Sequence, residues 1–213
     1  MTAGANRSLR AVAVGCAAAA VLATPLIVVA EPLIAPVPSS EWSDTQQQIV
    51  ASLPGPLTNA VATYLHHPVL AANLIPFERY ITAESSLAAR DRALLILRTA
   101  WLCRSDYIWA QHAEAARDAG VTDAELARIA HGPEAPGWEP IEAALLRATD
   151  ELYRDDFVSD ETWAVLAGEF DTRQLLDILT AIGGYRMFSM AINTFGVQLD
   201  ANMTDARFPP HLR

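Results

Sequence analysis

The chain has 213 residues, 52% of them hydrophobic, which is enough to bury the core of a single folded domain. Its 25 acidic and 15 basic residues leave a formal charge of -10, so a nucleic-acid backbone would be repelled over most of the surface. Every basic residue is an arginine, and a chain without lysine can supply neither a Schiff base nor a phosphate-loop lysine.

In chain order, Arg7 and Arg10 precede the uncharged run "AVAVGCAAAAVLATPLIVVA" at 11–30, the pattern of a basic start followed by an apolar segment. Residues 1–30 are therefore expected to be a signal peptide, cut after Ala23 or Ala30, or an uncleaved N-terminal anchor, since the run is close to the ~20 residues that span a bilayer. Either reading makes the protein exported: periplasmic, cell-envelope or secreted, with a membrane tether through 11–30 if the leader stays. Its removal leaves Cys103 as the only thiol. Residues 31–40, "EPLIAPVPSS", read as a proline-rich linker, and 41–213 as the folded domain. A first helix is expected after Ser40, ending at the "PGP" of 54–56, and a second over 57–66. Pro68 opens a third at its first turn, where a missing N–H costs nothing. Leu94, Leu95, Leu97, Trp101 and Leu102 recur at helical spacing, Gly120 stops that run, and Thr122 with Glu125 forms a capping box for the next helix. Further helices are expected over 141–153 and after Ser159, and Asp171 caps the last. That last segment is apolar almost all round, which marks a helix buried in a core or an oligomer interface. No alternating run of β-branched residues occurs, so the fold class is all-α.

The stretch "RTAWLCRSDYIWAQHAEAARDAG", 98–120, concentrates the chemically active residues. On one continuous helix, Ser105, Ile108, Trp109 and His112 share a face while Cys103 and Tyr107 point away, which keeps the thiol from the imidazole. A break at Ser105 or Asp106, both good N-cap residues, would turn the two halves independently, and the sequence leaves both arrangements open. His112 is a candidate general acid or base, because an ordinary pKa of about 6.5 suits proton transfer near neutral pH. Asp106 is a candidate to orient substrate or tune His112, against the simpler role of a helix cap. Cys103 is a candidate single-thiol nucleophile if Arg104 or a helix terminus depresses its pKa, against a small buried hydrophobe. Tyr107 and Trp109 are candidates to line a pocket for an aromatic or lactone substrate. Tyr185 and Arg186 are candidate substrate contacts in the apolar last helix, where a buried arginine must find a carboxylate such as Asp177, a carbonyl or a substrate anion. The His66-His67 pair lacks a third ligand at useful spacing, so no metal and no other cofactor is expected.

The segment "RDRALLILRTAWLCRSDYIWAQHAEAARDAGVTDAELARIAHGP", together with "YRMFSMAINTFGVQLD", resembles the carboxymuconolactone decarboxylase family, which includes the alkylhydroperoxidase D-like proteins. The resemblance runs over roughly 41–200. It implies a compact, all-α, alkylhydroperoxidase D-like domain that oligomerises through its helices, as a trimer or hexamer. Redox members of that family carry Cys-x-x-Cys-x-x-x-His with a glutamate twelve residues ahead of the first cysteine. On this chain the histidine falls on His112, the cysteines on Ser105 and Ile108, and the glutamate on Ala93. An isoleucine can neither attack a peroxide nor form a disulfide, so the dithiol mechanism does not transfer. The expectation is cofactor-free acid–base chemistry on a small lactone or carbonyl substrate, with His112 shuttling the proton and Asp106 or Tyr107 positioning it. The alternatives are a single-thiol peroxidase acting through Cys103 and a non-catalytic oligomer that binds a small molecule.

Overall fold

Every regular element among the described residues, 31–203 and Phe208, of the computed structural model is helical. The leader or anchor read at 1–30 lies outside those residues. The proline-rich segment 31–40 is strapped to the domain: the Leu33 and Ile34 N–H groups donate to Phe195 O at 2.8 and 3.3 Å, and the Val37 N–H donates to Ala62 O at 3.1 Å.

A 3-10 turn occupies Ser39–Glu41, and α1 (Asp44–Ala51) opens on Ser43 with a capping box to Gln46, three residues later than Ser40 would have it. In α2 (Asn59–Tyr64) the first N–H is capped from far away, because Asn59 N–H donates to Asp200 Oδ1 at 2.7 Å. Pro68 sits in the first turn of α3 (Pro68–Arg79), where His67 Nδ1 accepts from the Leu70 N–H at 3.2 Å. One π turn, Tyr80–Glu84, continues α3. It is fastened to the last helix by Asp177, which accepts from Tyr80 OH at 2.5 Å and from the Ser86 N–H and hydroxyl at 2.7 and 2.6 Å.

The central element is α4 (Ala89–Leu102), whose residues 93–100 are all buried. Around it pack α5 (Asp106–Asp118), α6 (Asp123–His131), α7 (Pro140–Asp155) and α9 (Thr172–Phe195), with α8 (Asp160–Glu169) outside against α7 and α9. A helix buried on every side must satisfy any polar group it carries. Arg98 does so twice over. It forms a bidentate pair with Asp150 at 2.6 and 2.8 Å, and it donates to Ile129 O at 2.7 Å and Ala130 O at 3.1 Å, closing the C-terminal end of α6. Gly132 follows at φ 85, and a Cβ there would stand 2.7 Å from Arg98 Nη2, so only glycine fits.

Among the described residues α9 is the one helix long and apolar enough to cross a membrane, yet its apolarity has a local explanation. Ile178, Ile182, Tyr185 and Ile192 enter the core, and Gly184 lets the helix approach so closely that a Cβ would meet Ile81 Cδ1 at 2.7 Å.

Candidate active site

The helix does break after Leu102. The Ser105 N–H reaches back to Ala100 O at 2.9 Å and the Arg104 N–H to Trp101 O at 3.0 Å, a Schellman closure in which Arg104 takes the left-handed conformation at φ 53. Ser105 then precedes α5, which starts at Asp106.

The break does not join Cys103 to His112; no hydrogen bond links them among the described residues. Cys103 faces α9 one or two turns further along the chain than His112 does: Asn193 Nδ2 donates to Cys103 O at 2.8 Å, and the Ser189 hydroxyl and Arg186 charge lie near its thiol. Burial raises the thiol pKa, and those two groups only partly oppose the rise. His112 instead meets Tyr185 edge-on, with ring centroids 4.9 Å apart. Its Nε2 is shut off from solvent and has no hydrogen-bond partner, and burial pushes the imidazole down to about 4. At neutral pH it is uncharged.

Asp106 is half-buried at the first turn of α5. Tyr107 OH donates to Asp200 Oδ2 at 2.7 Å and accepts from the Ala60 N–H at 3.3 Å, tying the C-terminal tail and α2 together. Trp109 is buried in the core, with its ring centroid 6.1 Å from that of Trp101 and 5.0 Å from that of Phe208. Arg186 pairs with Asp156 Oδ1 at 2.6 Å, donates to Leu152 O at 2.9 Å and stacks over Tyr153. Asp177 is out of its reach because nine residues turn a helix by two and a half turns, to the opposite side.

A cavity of about 310 Å³ opens between α2, α3, the π turn, α5 and α9. Its walls are mainly apolar, with Leu74 and Ile75 from α3, Ile108 from α5 and Phe188 from α9. Of the residues singled out in the sequence as site candidates, Tyr185 lines it. Its hydroxyl donates to Glu78 Oε1 at 3.1 Å. Burial raises the Glu78 pKa, and the Tyr185 hydrogen bond opposes that rise; burial also lifts Tyr185 well above the ordinary phenol range. Gln111 adds a neutral amide to the wall, and Arg79 at the rim is paired with Glu84 at 2.5 Å.

Glu78 and Gln111 were not among the residues read from the sequence. A signal for Glu78 does exist. Ala71, Leu74, Ile75 and Glu78 recur at helical spacing, so the acid continues the apolar face of α3 instead of its solvent face.

Residues 68–151, from the start of α3 through most of α7, match the model of the carboxymuconolactone decarboxylase family. Over this segment the chain is similar to the carboxymuconolactone decarboxylase family. Solved structures share the fold of this carboxymuconolactone decarboxylase-like chain. An uncharacterized peroxidase-related protein from Ralstonia eutropha JMP134, described as an alkylhydroperoxidase AhpD core, has a TM-score of 0.67 at 17% identity, covering 82% of this chain and 96% of its own. An uncharacterized peroxidase-related protein from Silicibacter sp. TM1040 gives 0.66 at 14% identity, covering 82% and 92%. The debrominase Bmp8 gives 0.67 at 14% identity, covering 80% and 94%, and a cysteine-to-alanine variant of it was crystallised with 2,3,4-tribromopyrrole. At these identities the likeness is one of fold. No curated protein matches the chain significantly in sequence.

Proposed function

We propose that this protein catalyses cofactor-free proton transfer on a small carbonyl or lactone substrate, in the cavity between α2, α3, α5 and α9. The observation that carries the reading is the Tyr185–Glu78 hydrogen bond at the wall of a mainly apolar cavity. A carboxyl group whose pKa is raised by burial is a stronger base than an exposed one, which suits it to take a proton from carbon and return it. The Glu78 carboxylate removes a proton from the carbon beside the substrate carbonyl, leaving an enolate and a neutral acid, and the same acid returns the proton to carbon. Tyr185 fixes the carboxyl orientation. His112, uncharged and packed on the Tyr185 ring outside the cavity lining, acts as a positioning residue in this scheme. The thiol alternative draws no support from the geometry, since Cys103 is not among the cavity-lining residues and its pKa is raised.

The test is exchange of α-protons for deuterium in a panel of small lactones and cyclic ketones, followed by NMR. Wild type is expected to exchange at least one of them, Glu78→Gln to lose roughly 100-fold or more, and Cys103→Ser to match wild type. Exchange by Glu78→Gln at the wild-type rate, or none by wild type on any panel member, would refute the scheme. Ile108 favours a second reading, ligand binding without chemistry, because it puts an inert side chain where redox relatives carry a thiol. A ligand that raises the melting temperature without being exchanged or consumed is the expected result there.

A further inference from the structure

We infer that the cavity accepts an uncharged, largely apolar small molecule and rejects carboxylates, with Glu78 as the residue that sets this preference. The inference rests on the proposed assignment of the cavity as the ligand site; it does not require turnover.

The charged groups at the cavity are few. Arg79 at its rim is committed to Glu84, and both side chains stand about half exposed, at 57% and 47%. Arg92 is near enough to act electrostatically on Tyr185, but it does not line the cavity and donates to Leu87 O at 3.1 Å and Ser85 Oγ at 3.5 Å. Among the described ion pairs none involves Glu78. Its carboxylate is therefore the uncompensated charge that an incoming ligand meets.

A tyrosine has one hydroxyl proton, and that of Tyr185 is already given to Glu78 Oε1. Thr82 likewise spends its hydroxyl on the Glu78 and Arg79 carbonyls at 3.1 and 3.3 Å. The wall thus offers a ligand carboxylate little beyond the Gln111 amide, while an ionised Glu78 repels it. Two like charges about 6 Å apart at an effective dielectric near 20 weaken binding on the order of 100-fold. The volume, about 310 Å³, is at the small end of ligand pockets and suits a single-ring molecule.

A chemical consequence follows. Decarboxylation of a free carboxylate requires an anionic substrate, which this cavity repels. Proton transfer on a neutral carbonyl compound or lactone does not.

Benzamide and benzoate form the test pair, being nearly equal in size and opposite in the property at issue. Binding of each to the full chain is measured by titration calorimetry at about pH 8, where benzoate is ionised, and again at about pH 9 because burial raises the Glu78 pKa. Wild type is expected to bind benzamide at least about 10-fold more tightly than benzoate, and Glu78→Gln to bring the two within a few-fold, because it removes the repelling charge and little else. Ile108→Trp, which fills the cavity, is expected to abolish benzamide binding while leaving the circular dichroism spectrum unchanged. Equal binding of the two probes by wild type, a preference that survives Glu78→Gln, or no binding of either at millimolar concentration would overturn the inference. Discrimination with no proton exchange on any lactone or ketone would sink the catalytic proposal alone. Exchange by an enzyme that accepts benzoate as well as benzamide would sink charge selection alone.

Discussion

His112 carries the largest local electrostatic consequence. The unfolded chain takes up a proton at this residue near pH 6.5, whereas the folded protein holds it uncharged down to about 4. The unfolded state thus binds more protons between these values, and stability falls as the pH drops through that window. Stability at this residue is complete above the unfolded pKa and is lost as pH falls from about 6.5 to about 4, by up to roughly 3 kcal/mol. Urea unfolding at about pH 7 and pH 4.5 should show His112→Gln losing roughly 2 kcal/mol less than wild type on acidification. Equal losses would show that the imidazole is solvated in the folded state. At this scale the sequence identified His112 as special from its place in a resembling motif. It could not reveal the burial, which is the work of Tyr185, seventy-three residues away.

Two arginines on α4 illustrate how far burial governs a side chain's value to an element. Arg98, with its side chain 8% exposed, ties α4 to α6 and α7, and its loss strands Asp150 and two carbonyls. Arg90, 28% exposed, joins Glu142 at 2.7 Å and Glu125 at 2.6 Å, and donates to Gly120 O at 3.0 Å. Removing a buried partner typically costs 3–5 kcal/mol, while solvent-screened pairs contribute about 1 or less. Arg98→Ala is accordingly expected to lose about 3 kcal/mol or more and Arg90→Ala about 1–2 kcal/mol, measured by denaturant unfolding at neutral pH. Comparable losses would contradict the burial argument. Arg90's hydrogen bond, above all, holds Glu125 down at about 2 against 4.5 in the unfolded chain. Its contribution is present above about pH 4.5 and is lost as pH falls toward 2, so Arg90→Ala should flatten that part of the acid profile. Helix starts were readable because caps are local: Pro68, Thr122, Ser159 and Asp171 all open helices as their residue types require. The start at Ser43 was displaced because Gln46 completes a box there, while 39–41 wind into a separate turn.

Across the whole molecule, the outer face of α9 remains uncovered. Leu176, Leu179, Met187 and Met190 are exposed along one stripe, with Gly183 open at its centre. A stripe with this spacing buries well against a second helix, and we propose that it forms a contact between copies of the chain, as the family resemblance implies. Sedimentation equilibrium should give an oligomer for wild type and a shift toward the monomer for Met190→Glu, with the helical spectrum retained. A wild-type monomer, or an unchanged assembly in the variant, would remove α9 from the interface. Among the described residues, the recurrence of apolar residues at helical spacing was legible as helix. Which face of α9 meets the core and which stays outside was not, because the segment is apolar nearly all round.

The sequence alone determined what depends on neighbours in the chain: helix content, most caps, the breaker glycines, the absence of lysine chemistry and the loss of the dithiol pair at Ser105 and Ile108. The tertiary structure decided what depends on distant segments meeting. It turned Tyr107 and Arg186 toward Asp200 and Asp156, buried the His112 Nε2, and brought Glu78 to Tyr185 across 107 positions. A carboxyl group becomes a candidate proton carrier only when packing removes its water and supplies one oriented partner, and neither condition is written within hydrogen-bonding distance along the chain.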